Sequence, residues 1–372
     1  MRVGIPTEIK NNEFRVAITP AGVAELTRRG HEVIVQAGAG DGSAIADTDF
    51  KAAGAEIINT ADQVWAEADL LLKVKEPIEP EYARMRKGQT LFTYLHLAAS
   101  RPCTDALMSS GTTSIAYETV QTADRALPLL APMSEVAGRL SAQVGAYHLM
   151  RTQGARGVLM GGVPGVAAAE VVVIGGGTAG YNGARVANGM GANVTIFDLN
   201  INKLREIDAE FGGRIHTRYS STYDLEAAVR EADLVIGAVL VPGAKAPKLV
   251  SNALVAQMKP GSVLVDIAVD QGGCFESSRP TTHSEPTYQV AGSVFYCVAN
   301  MPGAVPHTST YALTNVTIPY ALALANRGLR DAVRESPALL PGVNIVDGHV
   351  TSEPVAAAHG LPWVSAEQAL SL

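Results

Sequence analysis

The ten residues VVVIGGGTAG, from Val171 to Gly180, constrain the fold of this 372-residue chain more than any other stretch. Four apolar residues read as a buried strand, the residues beyond read as a helix, and Gly175, Gly177 and Gly180 stand between them in G-x-G-x-x-G spacing. The three glycines serve different ends. Gly175 permits a tight turn, Gly177 lets the main chain approach a pyrophosphate with no Cβ in the way, and Gly180 lets helix and strand pack closely. The free N–H groups that open the helix then face the phosphates. Gly176 adds a further glycine inside the array without removing a required element.

Asp198 ends the next apolar run, VTIFD, where a carboxylate meets an adenosine ribose in such folds. It accepts hydrogen bonds from a 2′-hydroxyl and repels a 2′-phosphate, so NAD is preferred over NADP. Lys203, five residues on, could soften that repulsion, although as a residue it reads as a solvated lysine on the following helix.

Around this motif, short apolar runs alternate with helix-length amphipathic stretches, the pattern of a parallel sheet covered on both faces. The first third offers strands over Arg2–Pro6, His31–Gln36, Asp69–Lys75, Gln89–Leu95 and Thr113–Tyr117. The middle third offers VVVIG, VTIFD, RIHTRY, LVIGAV, SVLVDIA and VFYCVA. The length favours two domains. Long helices are expected at the joins, Ser134–Gln153 and Ser309–Asn326. The expected fold is α/β, with two doubly wound, Rossmann-like domains, a cleft between them and two long linking helices. One domain comprises residues 1–133 completed by 309–372, and the NAD-binding domain comprises residues 134–308.

A net charge of -7 with no run of Lys or Arg excludes an electrostatic footprint for nucleic acid or an anionic membrane. Cys103, Cys274 and Cys297 form no CxxC pair and have no His-rich companion, which predicts reduced thiols, a cytoplasmic setting and no metal site. The N-terminus reads directly into a strand rather than a secretory signal. Residues 308–326 carry no charge. Six Ser, Thr and Asn residues in their first half, and Pro319 as an interruption, predict a buried helix instead of a membrane span.

The stretch GIPTEIKNNEFRVAITPAGVAELTRRG resembles the signature shared by alanine dehydrogenases and the NAD-binding part of pyridine nucleotide transhydrogenases. The resemblance continues through LLLKVKEP, FTYLHLAAS, LLAPMSEVAGRLSAQVGA, GAVLVPGAKAPKLV, VDIAVDQGGCFE and YCVANMPGAVPHTSTYALTN. It covers most of the chain, loosens past Arg327, and points to the alanine dehydrogenases of mycobacterial type.

That resemblance implies NAD-dependent, reversible conversion of L-alanine and water to pyruvate and ammonia, with glyoxylate as a further 2-oxo acid. A homohexamer is the family expectation. Arg15 and Lys75 would hold the substrate carboxylate, and Lys75 would also polarise the carbonyl. Read as residues alone, Arg15 is a solvated arginine, while Lys75 and His96 end neighbouring strands at the edge where ligands bind in open α/β sheets. Lys73 is expected to be a surface or ion-paired residue. His96 and Asp270 would handle protons across the cleft during imine hydrolysis.

Tyr94 and Met133 match positions near the substrate, and Asn300 would position substrate or cofactor. Ser134, Thr178, Ala179, Lys203, Ser220, Val239, Leu240, Val298 and Met301 complete the implied cofactor surroundings. Glu13 and Glu118 have no assigned role. The alternatives are a transhydrogenase subunit, which needs a membrane partner, and a non-catalytic NAD-binding protein.

Overall fold

The computed structural model describes residues 1–239 and 246–372. The chain forms two compact units, Met1–Met133 with Val305–Leu372, and Ser134–Ala304.

In the first unit the strands are β1 (Arg2–Ile5), β2 (Glu32–Gln36), β3 (Glu56–Ile58), β4 (Leu70–Leu72), β5 (Thr90–Thr93) and β6 (Thr113–Ala116). The second unit follows with β7 (Glu170–Ile174), β8 (Asn193–Asp198), β9 (Ile215–Tyr219), β10 (Leu234–Gly237), β11 (Val263–Asp266), β12 (Thr287–Val290) and β13 (Ser293–Tyr296). The chain then returns to the first unit for β14 (Val343–Val346) and β15 (His349–Val350).

The first sheet runs β15-β14-β6-β5-β4-β1-β2-β3 and the second β12-β13-β11-β10-β7-β8-β9. The first contains the 3-2-1-4-5-6 order of a dinucleotide-binding fold, and the second shares its 3-2-1-4-5 part, with β13 beside β11 and β12 outside it; in both the reversal lies beside the first strand. Neither sheet is purely parallel: β12, β14 and β15 pair antiparallel at the edges. These short strands, together with β3, lack a long apolar run, so apolar patterning alone passes over them.

Val, Ile and Leu dominate the central strands because both sheet faces are covered. In the first unit, Ile345, Val350 and Val355 join Trp65, Leu71 and Leu91 in one core, so the C-terminal segment completes the N-terminal domain. Phe197, Val235, Leu264, Phe275 and Phe295 belong to the core of the second. The three cysteines are free and buried, and burial pushes the thiols of Cys103 and Cys274 up to about 12 and that of Cys297 to about 11.

The expected helix at residues 134–153 runs over Ala131–His148, followed by a short 3-10 turn at Arg151–Gln153. The later one runs over Pro306–Arg327 and continues through Pro319, which therefore does not interrupt it. Its polar face is buried for a reason that lies elsewhere in the chain. Thr310 accepts the Val16 N–H at 3.1 Å and meets the Ser43 hydroxyl at 2.8 Å. Among the described residues no helix is long and apolar enough to cross a membrane.

Candidate active site

The predicted glycine turn lies between β7 and the helix Thr178–Gly189, beside the reversal of the second sheet. Gly175 has φ 102°, and a Cβ there would stand 2.7 Å from the Ala238 carbonyl. At Gly180 a Cβ would fall 1.8 Å from the Gly175 carbonyl oxygen, so helix and turn touch as the spacing implies. Gly177 is the opposite case: it is exposed, and nothing lies within 4 Å of its would-be Cβ. Thr178 and Ala179 open the helix there, Thr178 exposed and Ala179 half-buried. An open main chain at a helix start suits an anionic ligand.

Asp198 ends β8 beside this turn. Its Oδ2 accepts the Gly176 N–H at 2.6 Å and its Oδ1 the Asn200 N–H at 2.7 Å. Each oxygen keeps capacity for a further donor. Lys203 pairs with Glu206 at 2.7 Å, consistent with a lysine on the surface of the following helix. Both line a cavity of about 310 Å³ together with Gly176, Gly177 and Thr178.

The other residues singled out in this unit are spread over its strand ends. Ser220 follows β9 and donates its N–H to the Asp198 carbonyl at 3.0 Å. Val239 is half-buried just beyond β10, whereas Leu240 falls outside the described residues. Val298 and Met301 are buried, and Ser134 is half-buried on the helix Ala131–His148. Asn300 has φ 65°, and its carbonyl accepts the Gly303 N–H at 2.9 Å.

Asp270 is exposed on a 3-10 turn, Val269–Gln271, four residues past β11. Asp266, which sequence reasoning missed, organises that turn. Its carboxylate accepts the Ala268 N–H at 3.0 Å and the Cys274 N–H at 2.8 Å. Burial raises its pKa, with the Ser278 hydroxyl and these N–H groups opposing.

In the first unit, β4 ends at Leu72, earlier than expected, and Lys73 and Lys75 follow it. The chain still tracks β5: Lys73 donates its N–H to Phe92, and Tyr94 donates to Val74. Lys73 is fully buried, not a surface residue, and is ion-paired to Glu8 at 3.0 Å and Glu81 at 2.8 Å. Burial opposes its charge, but the two carboxylates outweigh that and raise its pKa. At Glu8 burial wins over Lys73, and the carboxyl lies above its ordinary value. Lys75 is half-buried, with its carbonyl accepting the Thr93 hydroxyl at 3.1 Å.

Arg15 is also buried, where residue type alone predicts solvation. Its Nε and Nη2 donate in parallel to Glu13, at 2.7 and 2.6 Å, and its Nη1 lies 3.1 Å from the Met133 sulfur. The two-pronged face of the Arg15 guanidinium is therefore turned to Glu13.

Tyr94 is buried and donates its hydroxyl to the Leu129 carbonyl at 2.6 Å, burial having raised its pKa. It stacks on the His96 ring at 5.9 Å between centroids. Arg15 meets Met133, its charge acts on the Tyr94 hydroxyl, and Tyr94 stacks on His96, so the four form one connected group, with Lys75 on the adjoining strand end. The other member missed from sequence is Glu118, whose carboxylate receives the Leu95 and His96 N–H groups.

The chain is similar over most of its length to known proteins. Residues 4–137 match the family described as Alanine dehydrogenase/PNT, N-terminal domain, and residues 141–353 its C-terminal domain. An alanine dehydrogenase of Mycolicibacterium smegmatis is 77% identical, over 100% of both chains. A solved L-alanine dehydrogenase superposes with TM-score 0.94 at 51% identity, covering 97% of this chain and 99% of that one. A transhydrogenase from Sinorhizobium meliloti superposes with TM-score 0.80 at 26% identity, covering 95% and 99%. With both family domains present over most of its length, this chain belongs to the alanine dehydrogenase/pyridine nucleotide transhydrogenase family.

Proposed function

We propose that the protein is an NAD-dependent L-alanine dehydrogenase, interconverting L-alanine, NAD+ and water with pyruvate, ammonium, NADH and a proton. The observation that carries this reading is the placement of Lys75 and His96 at adjacent strand ends, with Arg15, Tyr94 and Met133 joined to the same group. The second unit supplies the exposed turn at Gly177 and the carboxylate of Asp198, which fit a pyrophosphate and a ribose diol. Bound there, NAD would accept a hydride from the alanine α-carbon.

The chain's own residues supply binding and proton transfer. Lys75 and Arg15 hold the substrate carboxylate, and the Lys75 ammonium stabilises the oxygen that becomes the pyruvate carbonyl. His96 and Asp270 carry protons during attack of water on the imine and release of ammonium. Asn300 positions substrate or cofactor. Tyr94 and Met133 restrict the side of the substrate pocket to a small group, which admits pyruvate and glyoxylate.

Ser134, Thr178, Ala179, Gly175, Gly180, Lys203, Ser220, Val239, Leu240, Val298 and Met301 make up the rest of the cofactor surroundings by family resemblance. The same reading makes the protein a homo-oligomer, hexameric by that resemblance, working in the cytoplasm, where its thiols stay reduced. A transhydrogenase subunit is disfavoured by the much lower identity of that relative. The deciding experiment follows NADH absorbance with NAD+ and alanine, then with NADH, pyruvate and ammonium. Turnover in neither direction removes the proposal.

A further inference from the structure

We propose that Glu118 is the positioning residue for His96, fixing the main chain that carries the imidazole. The inference rests on the reading of His96 as a proton carrier and extends it to a residue with no role in binding substrate or cofactor.

Glu118 sits on the 3-10 turn Tyr117–Thr119 immediately after β6, which pairs in parallel with β5. From there its Oε1 accepts the His96 N–H at 2.6 Å, and its Oε2 the Leu95 N–H at 3.2 Å. His96 has φ 48° and ψ 38°, a left-handed conformation that non-glycine residues rarely adopt. Such a backbone persists only where its surroundings over-determine it. A charged acceptor with a side chain only 15% exposed is a strong constraint of that kind. The ring stacks on Tyr94, whose own hydroxyl is tied to Leu129, and its Nδ1 lies 3.9 Å from the Glu118 Oε1. Glu118 therefore faces both the main chain and the imidazole of His96.

The device recurs on the neighbouring strand end. Glu8 accepts the Val74 N–H at 2.6 Å and the Lys75 N–H at 3.4 Å, again two consecutive groups ending on a proposed site residue. One carboxylate therefore sets each of the two strand ends. Glu8 also holds the buried Lys73, so its removal disturbs the fold. Among the described residues Glu118 bears no comparable ion pair within the core, which makes it the cleaner test.

The experiment measures kcat, KM for alanine and pyruvate, NADH binding by fluorescence, and melting temperature for the full-length Glu118→Ala, Glu118→Gln and His96→Ala proteins. Misplacement of a reacting group by about an ångström costs up to about a hundredfold in rate. Glu118→Ala is expected to lower kcat in both directions on the order of ten- to a hundredfold, with NADH affinity unchanged. Glu118→Gln keeps an oxygen for the His96 N–H and is expected to recover most of that loss. Wild-type kcat in Glu118→Ala overturns the proposal, as does a glutamine variant no better than alanine. His96→Ala separates the two ideas: if it retains turnover the His96 reading fails, and if it alone is inactive only the positioning role fails.

Discussion

Asp198 accepts the main-chain N–H of Gly176 at 2.6 Å, which ties the proposed ribose-reading carboxylate to the proposed phosphate-binding turn. Replacing it should therefore act on both. Asp198→Ala removes an acceptor for the 2′-hydroxyl, a repulsive charge against a 2′-phosphate, and the anchor of the turn. NAD use should fall by about tenfold or more, the usual scale for a charged hydrogen bond, while NADP use falls less. The check is kcat/KM for both cofactors, and an unchanged ratio means that another residue reads the ribose.

The buried group of Glu8, Lys73 and Glu81 governs stability instead of binding. Lys73→Met leaves two carboxylates without their cation and should destabilise the protein by about 3–5 kcal/mol in urea unfolding. Because the folded pKa of Lys73 is raised above the ordinary 10.5, its contribution is present below 10.5 and is lost as pH rises through the folded value. The stability gap between wild type and Lys73→Met should narrow on the alkaline side, and also towards acid pH, where the Glu8 carboxyl left without its cation takes up a proton. A gap that stays constant into the alkaline range would exclude the Lys73 charge as its origin.

Lys75 and His96 should show the opposite division. Lys75→Ala removes a positive charge from the substrate carboxylate and carbonyl, and His96→Ala removes a proton carrier. Each should lower kcat on the order of a hundredfold or more. NADH binding should survive in both, since Gly175, Gly177, Gly180 and Asp198 lie in the other unit. Near-normal turnover in either folded variant makes that residue structural.

What could be read in the sequence follows the range of the interactions involved. The glycine turn was legible because its requirements are local: a strand, a positive φ at Gly175, and the contact of Gly180 with Gly175 five residues away. The alternation of runs likewise marked where the central strands lie along the chain. Lys73 was not legible, because its partners lie 65 and 8 residues away and strand alternation cannot see them. Glu118 escaped for a similar reason, its function being defined by N–H groups on a neighbouring strand. The usable signal was a carboxylate two residues beyond a strand, beside the strand end that carries a candidate histidine. Short edge strands such as β12 and β15, which bury one face at most, left no periodic trace.

Gly177 and Gly180 provide a last contrast within one turn. At Gly180 an added methyl group would lie 1.8 Å from the Gly175 carbonyl oxygen, so the main chain itself must shift. Gly180→Ala should lower stability by about 1–3 kcal/mol, the common cost of overpacking, and lose NADH binding as the turn distorts. Gly177 has φ -67° and open space around its Cβ position, so Gly177→Ala should fold with little change in melting temperature. It should nevertheless weaken NADH binding, because the methyl group stands where the main chain would otherwise approach the pyrophosphate. Calorimetric unfolding and NADH fluorescence titration on the two variants separate these effects. Full NADH affinity in Gly177→Ala would place the phosphates away from this turn and remove the basis for assigning the second unit to the cofactor.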